Sequence, residues 1–192
     1  MKALRLNSID GLYFGYRDIA TALAISDDAA RVAATRYVRA GLLIRVRRDL
    51  YVLASRWPTL TRAELFAIAN IALSPSYVSL ITALEHYDMT SQVQQGVVES
   101  VCLKRTREIV VCEGRFSYTR IKPDRFCGFD RSQGFFIATP EKALLDALYL
   151  SSLGRYTLDG MDIDTTRLNS EKLRREAEVF SPKIQELVKA YE

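Results

Sequence analysis

The chain of 192 residues is poor in the side chains that build metal and redox sites. It has one histidine, His86, and three cysteines, Cys102, Cys112 and Cys127, with no C-x-x-C spacing. Structural zinc sites need several such ligands in close spacing, so we predict no metal site and three reduced thiols. His86 has no obvious acidic partner or nucleophile in sequence, and we predict that its role is structural.

Long hydrophobic runs and catalytic motifs are also absent. No apolar stretch approaches the roughly 20 residues of a transmembrane helix, and the segment MKALRLNSID lacks the apolar core of a signal peptide. We therefore expect a cytoplasmic protein without a membrane partner. Because there is no glycine-rich phosphate loop and no G-x-S-x-G motif, we predict no catalytic residues, no cofactor and no enzymatic activity. An enzyme would instead need ionisable groups converging around His86 or Asp146.

Positive charge is concentrated in the first 57 residues. This stretch carries 10 Lys and Arg against 5 Asp and Glu, whereas residues 58–192 carry 17 against 18, so the N-terminal part supplies the net charge of +4. Such an excess favours a polyanionic partner. Residues 104–131 also hold 8 basic against 4 acidic residues, and they form either a second partner surface or a solvated sheet face.

The pattern of residues 17–40 predicts two helices, the first over residues 18–24 and the second beginning after a Ser26 cap. At about 100° per residue, the second helix has an alanine-rich face that lets the first helix approach closely. The members of this face are Ala30, Ala33, Ala34, Tyr37 and Ala40. The opposite face is polar and basic, and it holds Asp28, Arg31, Val32, Thr35, Arg36 and Arg39.

Gly41 supplies the left-handed residue expected just after a helix. Beyond it, the aliphatic runs at residues 42–46 and 50–53 predict a β-hairpin with its turn at residues 47–49. Three arginines lie at or beside the turn: Arg45, Arg47 and Arg48. Two helices followed by such a hairpin are the layout of a winged helix-turn-helix, which places its second helix in the major groove of DNA.

These observations predict a DNA-contact set of eight side chains: Arg31, Val32, Thr35, Arg36, Arg39, Arg45, Arg47 and Arg48. On the helix, we expect Arg36 to contact a guanine, Thr35 or Val32 a thymine methyl group, and Arg39 a phosphate. The hairpin arginines are expected to bind the DNA backbone or to enter the minor groove. The alternative is a fold that binds only protein, with the arginines as a solvated face.

A domain boundary is predicted at the Trp57-Pro58 break, which divides the chain into a winged helix-turn-helix domain (1–57) and a C-terminal domain (58–192). Thr61 and Glu64 form a capping-box signature for the first helix of the second domain.

Four short apolar and aromatic runs between residues 97 and 138 predict three or four strands of an antiparallel sheet. After them, Thr139 is expected to cap a buried helix, in which Asp146 would pair with Lys142 or with an arginine from the sheet. We therefore predict an α+β fold, with an N-terminal winged helix-turn-helix followed by a mixed helix and antiparallel-sheet domain.

Three segments, in this order and spacing, carry a family resemblance: RAGLLIRVRRDLYVL (39–53), YVSLITAL (77–84) and ATPEKALLDALYL (138–150). The chain resembles the AbiEi-like antitoxins of type IV bacterial toxin–antitoxin systems, which are also described as transcriptional regulators. It departs from the family in two places. Asp49 stands where the family usually has glycine, and residues 87–89 (Tyr-Asp-Met) stand where it has His-Gly-Leu. Aspartate tolerates left-handed geometry, so we expect the hairpin turn to be kept.

The resemblance implies a protein with two parts. Its N-terminal winged helix would bind inverted repeats in its own promoter and repress transcription. Its C-terminal domain would neutralise a co-encoded toxin that resembles a nucleotidyltransferase, with or without direct contact. The alternatives are a free-standing winged-helix regulator and a protein-interaction module without antitoxin activity.

Overall fold

The computed structural model describes residues 3–92, 94–112, 114–158 and 163–191, and these form a mixed α+β fold. The helices in these ranges are α1 (Tyr16–Leu23), α2 (Asp27–Arg39), α3 (Arg62–Ala72), α4 (Leu80–His86), α5 (Pro140–Ser152), α6 (Ser170–Ala177) and α7 (Pro182–Val188). The strands are β1 (Leu43–Arg47), β2 (Leu50–Leu53), β3 (Ser76–Val78), β4 (Val97–Cys102), β5 (Arg107–Val111), β6 (Gly114–Arg120), β7 (Phe129–Ser132) and β8 (Phe135–Ala138). Within these ranges, no helix is both long enough and apolar enough to cross a bilayer.

The predicted helix caps are confirmed. The Ser26 hydroxyl accepts a hydrogen bond from the Ala29 N–H (3.3 Å) and begins α2. At α3, Thr61 Oγ1 accepts from the Glu64 N–H (3.2 Å), and Glu64 Oε2 accepts from the Thr61 N–H (2.9 Å), which completes a capping box. Thr139 caps α5 in the same way as Ser26 caps α2. Each cap satisfies a backbone N–H that the first turn of a helix leaves without a partner.

The antiparallel sheet predicted for the C-terminal domain is wrong, because the sheet is mixed. The strand order is β5-β6-β4-β3-β8-β7, in which β4 runs parallel to β6 and β3 runs parallel to β8. The physical reason is that β5 and β6 form an antiparallel hairpin whose second strand, and not its first, pairs with β4. Apolar alternation predicts that a strand forms, but it leaves the partner and the direction open.

The β1-β2 hairpin lies between two hydrophobic clusters. On one face, Leu43 and Tyr51 pack in the cluster formed with α1 and α2. On the other face, Val46, Leu50 and Val52 belong to the main core, which also contains residues of the six-stranded sheet and of α3 to α7. Because side chains alternate along a strand, the hairpin fills both clusters and attaches the N-terminal helices to the rest of the protein.

Asp146 of α5 forms a buried ion pair with Lys142, one of the two partners expected from the sequence. Lys142 Nζ contacts Asp146 Oδ1, and the two residues are 1 % and 0 % exposed. The other carboxylate oxygen accepts hydrogen bonds from the Tyr77 hydroxyl (3.0 Å) and the Ser79 hydroxyl (2.8 Å). Burial and the charge of Asp146 raise the pKa of Tyr77 well above its ordinary value. The carboxylate therefore joins α5 to β3 and to the start of α4.

Candidate nucleic-acid interface

Helix α2 buries most of the face that its periodicity predicts, but Ala40 is exposed because the helix ends at Arg39. Ala30 and Ala34 are fully buried, and they pack with Ile19 and Leu23 of α1. The five helical members of the predicted DNA-contact set are all exposed, and they are Arg31, Val32, Thr35, Arg36 and Arg39. Small side chains on the inner face bring α1 close, so the long polar side chains point away from the protein.

The β1-β2 hairpin places its arginines on the surface as well. Gly41, with a φ of +69°, turns the chain from α2 into β1. Strand β1 has an irregularity between Arg45 and Arg47, where the register shifts by a bulge. Both of these arginines and Arg48 of the turn are exposed, although the intervening Val46 is buried in the main core. All eight predicted side chains are therefore at the surface.

Most of the arginines in the set are not held by acidic groups. Among the described residues, no carboxylate oxygen lies within 4.0 Å of a side-chain nitrogen of Arg36, Arg39, Arg45, Arg47 or Arg48. Arg31 is different, because it pairs with Asp28 (2.6 Å) and its guanidinium lies 3.9 Å from the centroid of the Tyr16 ring. The five unpaired guanidinium groups are the ones most available to phosphate or base oxygens.

The short side chains of α2 offer methyl groups to a ligand. The Thr35 hydroxyl donates to the Arg31 carbonyl oxygen (3.1 Å), which satisfies the hydroxyl within the helix and leaves the methyl group for contact. Val32 is 52 % exposed and supplies two further methyl groups. At the start of the helix, Asp28 is paired with Arg31 and Asp27 lies 3.8 Å from Arg17, so part of the negative charge there is balanced.

Asp49 connects the hairpin turn to the first helix, α1, through a hydrogen bond. It has a φ of +58°, so the expected left-handed geometry is confirmed. Its Oδ1 accepts a hydrogen bond from the Tyr16 N–H (2.7 Å) at the start of α1. A Cβ atom built on Gly15 would lie 3.1 Å from that same oxygen, so the glycine permits the close approach. One carboxylate thus holds the arginine-bearing turn against α1.

We predict that Asp49→Ala lowers the free energy of unfolding by about 1–3 kcal/mol, because it removes a charge-assisted hydrogen bond and leaves alanine in the left-handed region. Asp49→Asn keeps an acceptor and a residue that tolerates this geometry, so it should lose less than half as much. Urea unfolding followed by circular dichroism measures both variants. Equal stability of Asp49→Ala and the wild-type protein would show that this contact does not hold the turn.

Arg107 of β5, in the basic stretch 104–131, lies at the edge of the large sheet beside the hairpin, a position that the sequence pattern does not predict. Strand β1 lies next to β5. Burial raises the pKa of the Tyr118 hydroxyl on β6, and the charges of Arg107 and Arg47 oppose that rise. The two guanidinium groups therefore act on the same hydroxyl, one from β5 and one from the hairpin. Contacts between residues so far apart in sequence leave no periodic signal.

The groups considered for catalysis do not converge on a cavity. His86 packs between Phe66 and Phe135, with ring centroids 5.7 and 5.9 Å away, and burial lowers its pKa. Asp146 is fully buried in its ion pair. Neither side chain lines any of four cavities found among the described residues, of about 730, 550, 330 and 310 Å³. In the described part of the chain, no group of three or more His, Cys, Asp or Glu side chains is placed to hold a metal ion.

The cysteines are free thiols in different environments. Cys102 is buried, whereas Cys112 and Cys127 are exposed.

Comparison of the sequence with protein-family models gives no match, and no curated protein matches it. The role of the α2 and hairpin surface is therefore inferred from its own geometry and charge.

Proposed function

We propose that residues 14–54 form a winged helix-turn-helix that binds double-stranded DNA, with α2 as the recognition helix and the β1-β2 hairpin as the wing. The observation that carries this proposal is a set of five exposed arginines on a helix and an adjoining hairpin that have no carboxylate partner among the described residues: Arg36, Arg39, Arg45, Arg47 and Arg48. Exposed arginines on a helix of this width fit the major groove and its phosphates.

In this proposal, the two elements have different roles. Arg36 lies in the last turn of α2 and contacts guanine O6 and N7, while the methyl groups of Thr35 and Val32 contact thymine. Arg39, at the end of α2, binds a phosphate. Arg45, Arg47 and Arg48 bind the backbone beside the groove or enter the minor groove. Arg31 supports the helix through Asp28 and Tyr16 and contributes least to binding.

The wing is tested by replacing Arg47 and Arg48 together with alanine. Because phosphate contacts carry no sequence information, the double variant should weaken binding to an operator duplex and to a random duplex by similar factors. The slope of log K against log salt should flatten by about one to two units, since about 0.9 counterion is released for each phosphate contact. Fluorescence anisotropy with labelled duplexes measures both quantities.

Asp49→Ala serves as the control for a disturbed turn in that experiment, because it removes the contact between the turn and α1 and keeps both arginines. An unchanged salt slope in the double arginine variant, with normal folding by circular dichroism, would contradict the role of the wing.

We further propose that the protein is a transcriptional autorepressor and antitoxin that counters a nucleotidyltransferase-like toxin. This second step is supported by the resemblance of residues 39–53, 77–84 and 138–150 to the AbiEi-like antitoxins. It predicts inverted repeats upstream of the operon and a toxin gene beside it.

Antitoxin activity is tested by expressing the neighbouring nucleotidyltransferase-like gene with and without this chain, each from an unrelated promoter. The proposal predicts restored growth with the wild-type chain and with Arg36→Ala, because this variant impairs only DNA binding. Growth arrest both with and without the wild-type chain would contradict antitoxin activity and favour a free-standing regulator.

A further inference from the structure

A cavity of about 550 Å³ lies between α3 and the β7-β8 hairpin, away from the α2 surface. Its volume is in the range of small-molecule sites, roughly 300–1,000 Å³. Asn70 of α3 lines one side of the cavity, and Phe129, Arg131 and Phe136 line the other. Ser76 of β3 and Tyr13 also line it.

The β7-β8 hairpin gives this cavity an aromatic wall with a positive charge. Arg131 is directly opposite Phe136 in the antiparallel register, and Phe129 precedes Arg131 by two residues, so the three side chains share one face. The Phe129 and Phe136 ring centroids are 6.0 Å apart with an interplanar angle of 87°. Phe136 is 42 % exposed and Arg131 is also exposed. An aromatic anion matches such a wall.

Two buried polar groups of the cavity lack partners. Asn70 Oδ1 accepts a hydrogen bond from the Phe136 N–H (2.6 Å), and because a backbone N–H must meet the oxygen, the amide orientation is fixed. Asn70 Nδ2 and Ser76 Oγ have no hydrogen-bond partner among the described residues, although Asn70 is only 9 % exposed and Ser76 only 6 %. A buried polar group without a hydrogen-bond partner destabilises the protein, because it has given up its hydrogen bonds to water. A ligand hydroxyl would satisfy both, since it accepts from the amide and donates to the serine.

We propose that this cavity binds a planar aromatic carboxylate that bears a hydroxyl group at its far end. The rings pack on Phe129 and Phe136, the carboxylate accepts hydrogen bonds from Arg131, and the hydroxyl lies between Asn70 Nδ2 and Ser76 Oγ. The inference is independent of DNA binding, because none of these residues belongs to α2 or to the β1-β2 hairpin.

The probe is 6-hydroxy-2-naphthoate, compared with 2-naphthoate, which lacks the hydroxyl, and 2-naphthol, which lacks the carboxylate. Isothermal titration calorimetry with the full chain should show saturable binding of 6-hydroxy-2-naphthoate. The dissociation constant of each comparator should be higher by a factor of about three or more, since each comparator lacks one polar contact.

Two variants assign the contacts by changing the preference and not only the affinity. Arg131→Gln should remove most of the preference for 6-hydroxy-2-naphthoate over 2-naphthol. Ser76→Ala removes the hydroxyl that would accept from the ligand and breaks no hydrogen bond among the described residues, so it should reduce the preference over 2-naphthoate. Arg105→Gln, an exposed change in the loop before β5, is the matched control and should alter neither preference.

Thermal unfolding of each variant shows whether it is folded. If Ser76→Ala fails to fold, the loss of preference over 2-naphthol in Arg131→Gln is the deciding result. No saturable binding of 6-hydroxy-2-naphthoate up to about 1 mM, which corresponds to about −4 kcal/mol, would overturn the proposal. The proposal would also be overturned if Arg131→Gln kept the preference for 6-hydroxy-2-naphthoate over 2-naphthol. A crystal structure grown with the probe would overturn it as well if an ordered water, and not the probe, were bound to Asn70 Nδ2.

Discussion

Replacing Asp146 with alanine should lower the free energy of unfolding by about 3–5 kcal/mol, the usual cost of leaving one member of a buried ion pair without its partner. The variant leaves the Lys142 ammonium, which is 1 % exposed, without a counter-charge. It also removes the acceptor of the Tyr77 and Ser79 hydroxyls. Urea unfolding monitored by circular dichroism measures the loss.

Three further variants separate charge from packing at this position. Asp146→Asn keeps acceptors for the two hydroxyls and should fall between alanine and the wild-type protein. The double variant Lys142→Met with Asp146→Leu removes both charges and should recover much of the stability. Glu178→Ala, at an exposed carboxylate, should change stability by less than about 0.5 kcal/mol. A loss of under about 1 kcal/mol in Asp146→Ala would contradict the anchoring role.

Replacing Arg36 with alanine should weaken binding to the operator by about 1–3 kcal/mol, roughly five- to 150-fold, and leave binding to random duplexes nearly unchanged. The reason is that a bidentate contact to guanine is made only where the guanine is present, whereas phosphate contacts are made everywhere. Anisotropy titrations on the two duplexes at one salt concentration give the comparison.

Arg155→Ala, at an exposed arginine after α5, removes the same charge and should leave both affinities unchanged. Equal losses on operator and random duplexes in Arg36→Ala would mean that Arg36 binds phosphate and that α2 makes its base contacts elsewhere.

Local features of this fold are well predicted from sequence. The caps at Ser26, Thr61 and Thr139 involve residues three positions apart, and the Lys142–Asp146 pair lies within one helical turn. Short-range contacts of this kind are encoded in side-chain type and spacing.

Long-range features are not predicted in this way. Tyr77 and Ser79 meet Asp146 across 69 and 67 positions of sequence, and the parallel pairing of β4 with β6 depends on how the β5-β6 hairpin folds back. A single sequence holds no signal for these pairs, because a strand pattern fits more than one neighbour.

In the candidate site, too, local features are predicted from sequence and long-range contacts are not. The exposure of Arg36 and Arg39 follows from helical periodicity. The stacking of Arg31 on Tyr16, and the hydrogen bond from Tyr16 to Asp49 across 33 positions, depend on the packing of α1 against α2 and the hairpin. Because of these contacts within the protein, the Arg31 guanidinium is less available to DNA than the other arginines.

The most direct test is the affinity of the wild-type protein for a duplex from its own upstream region and for a scrambled duplex of equal length, measured between 50 and 200 mM salt. With Arg39, Arg45, Arg47 and Arg48 on phosphates, log K should fall with log salt with a slope of about −3 to −4 for each bound protomer, and the upstream duplex should bind more tightly at every salt concentration. Equal affinity for the two duplexes, or binding that does not respond to salt, would contradict the proposal that α2 and the hairpin form a DNA-binding surface.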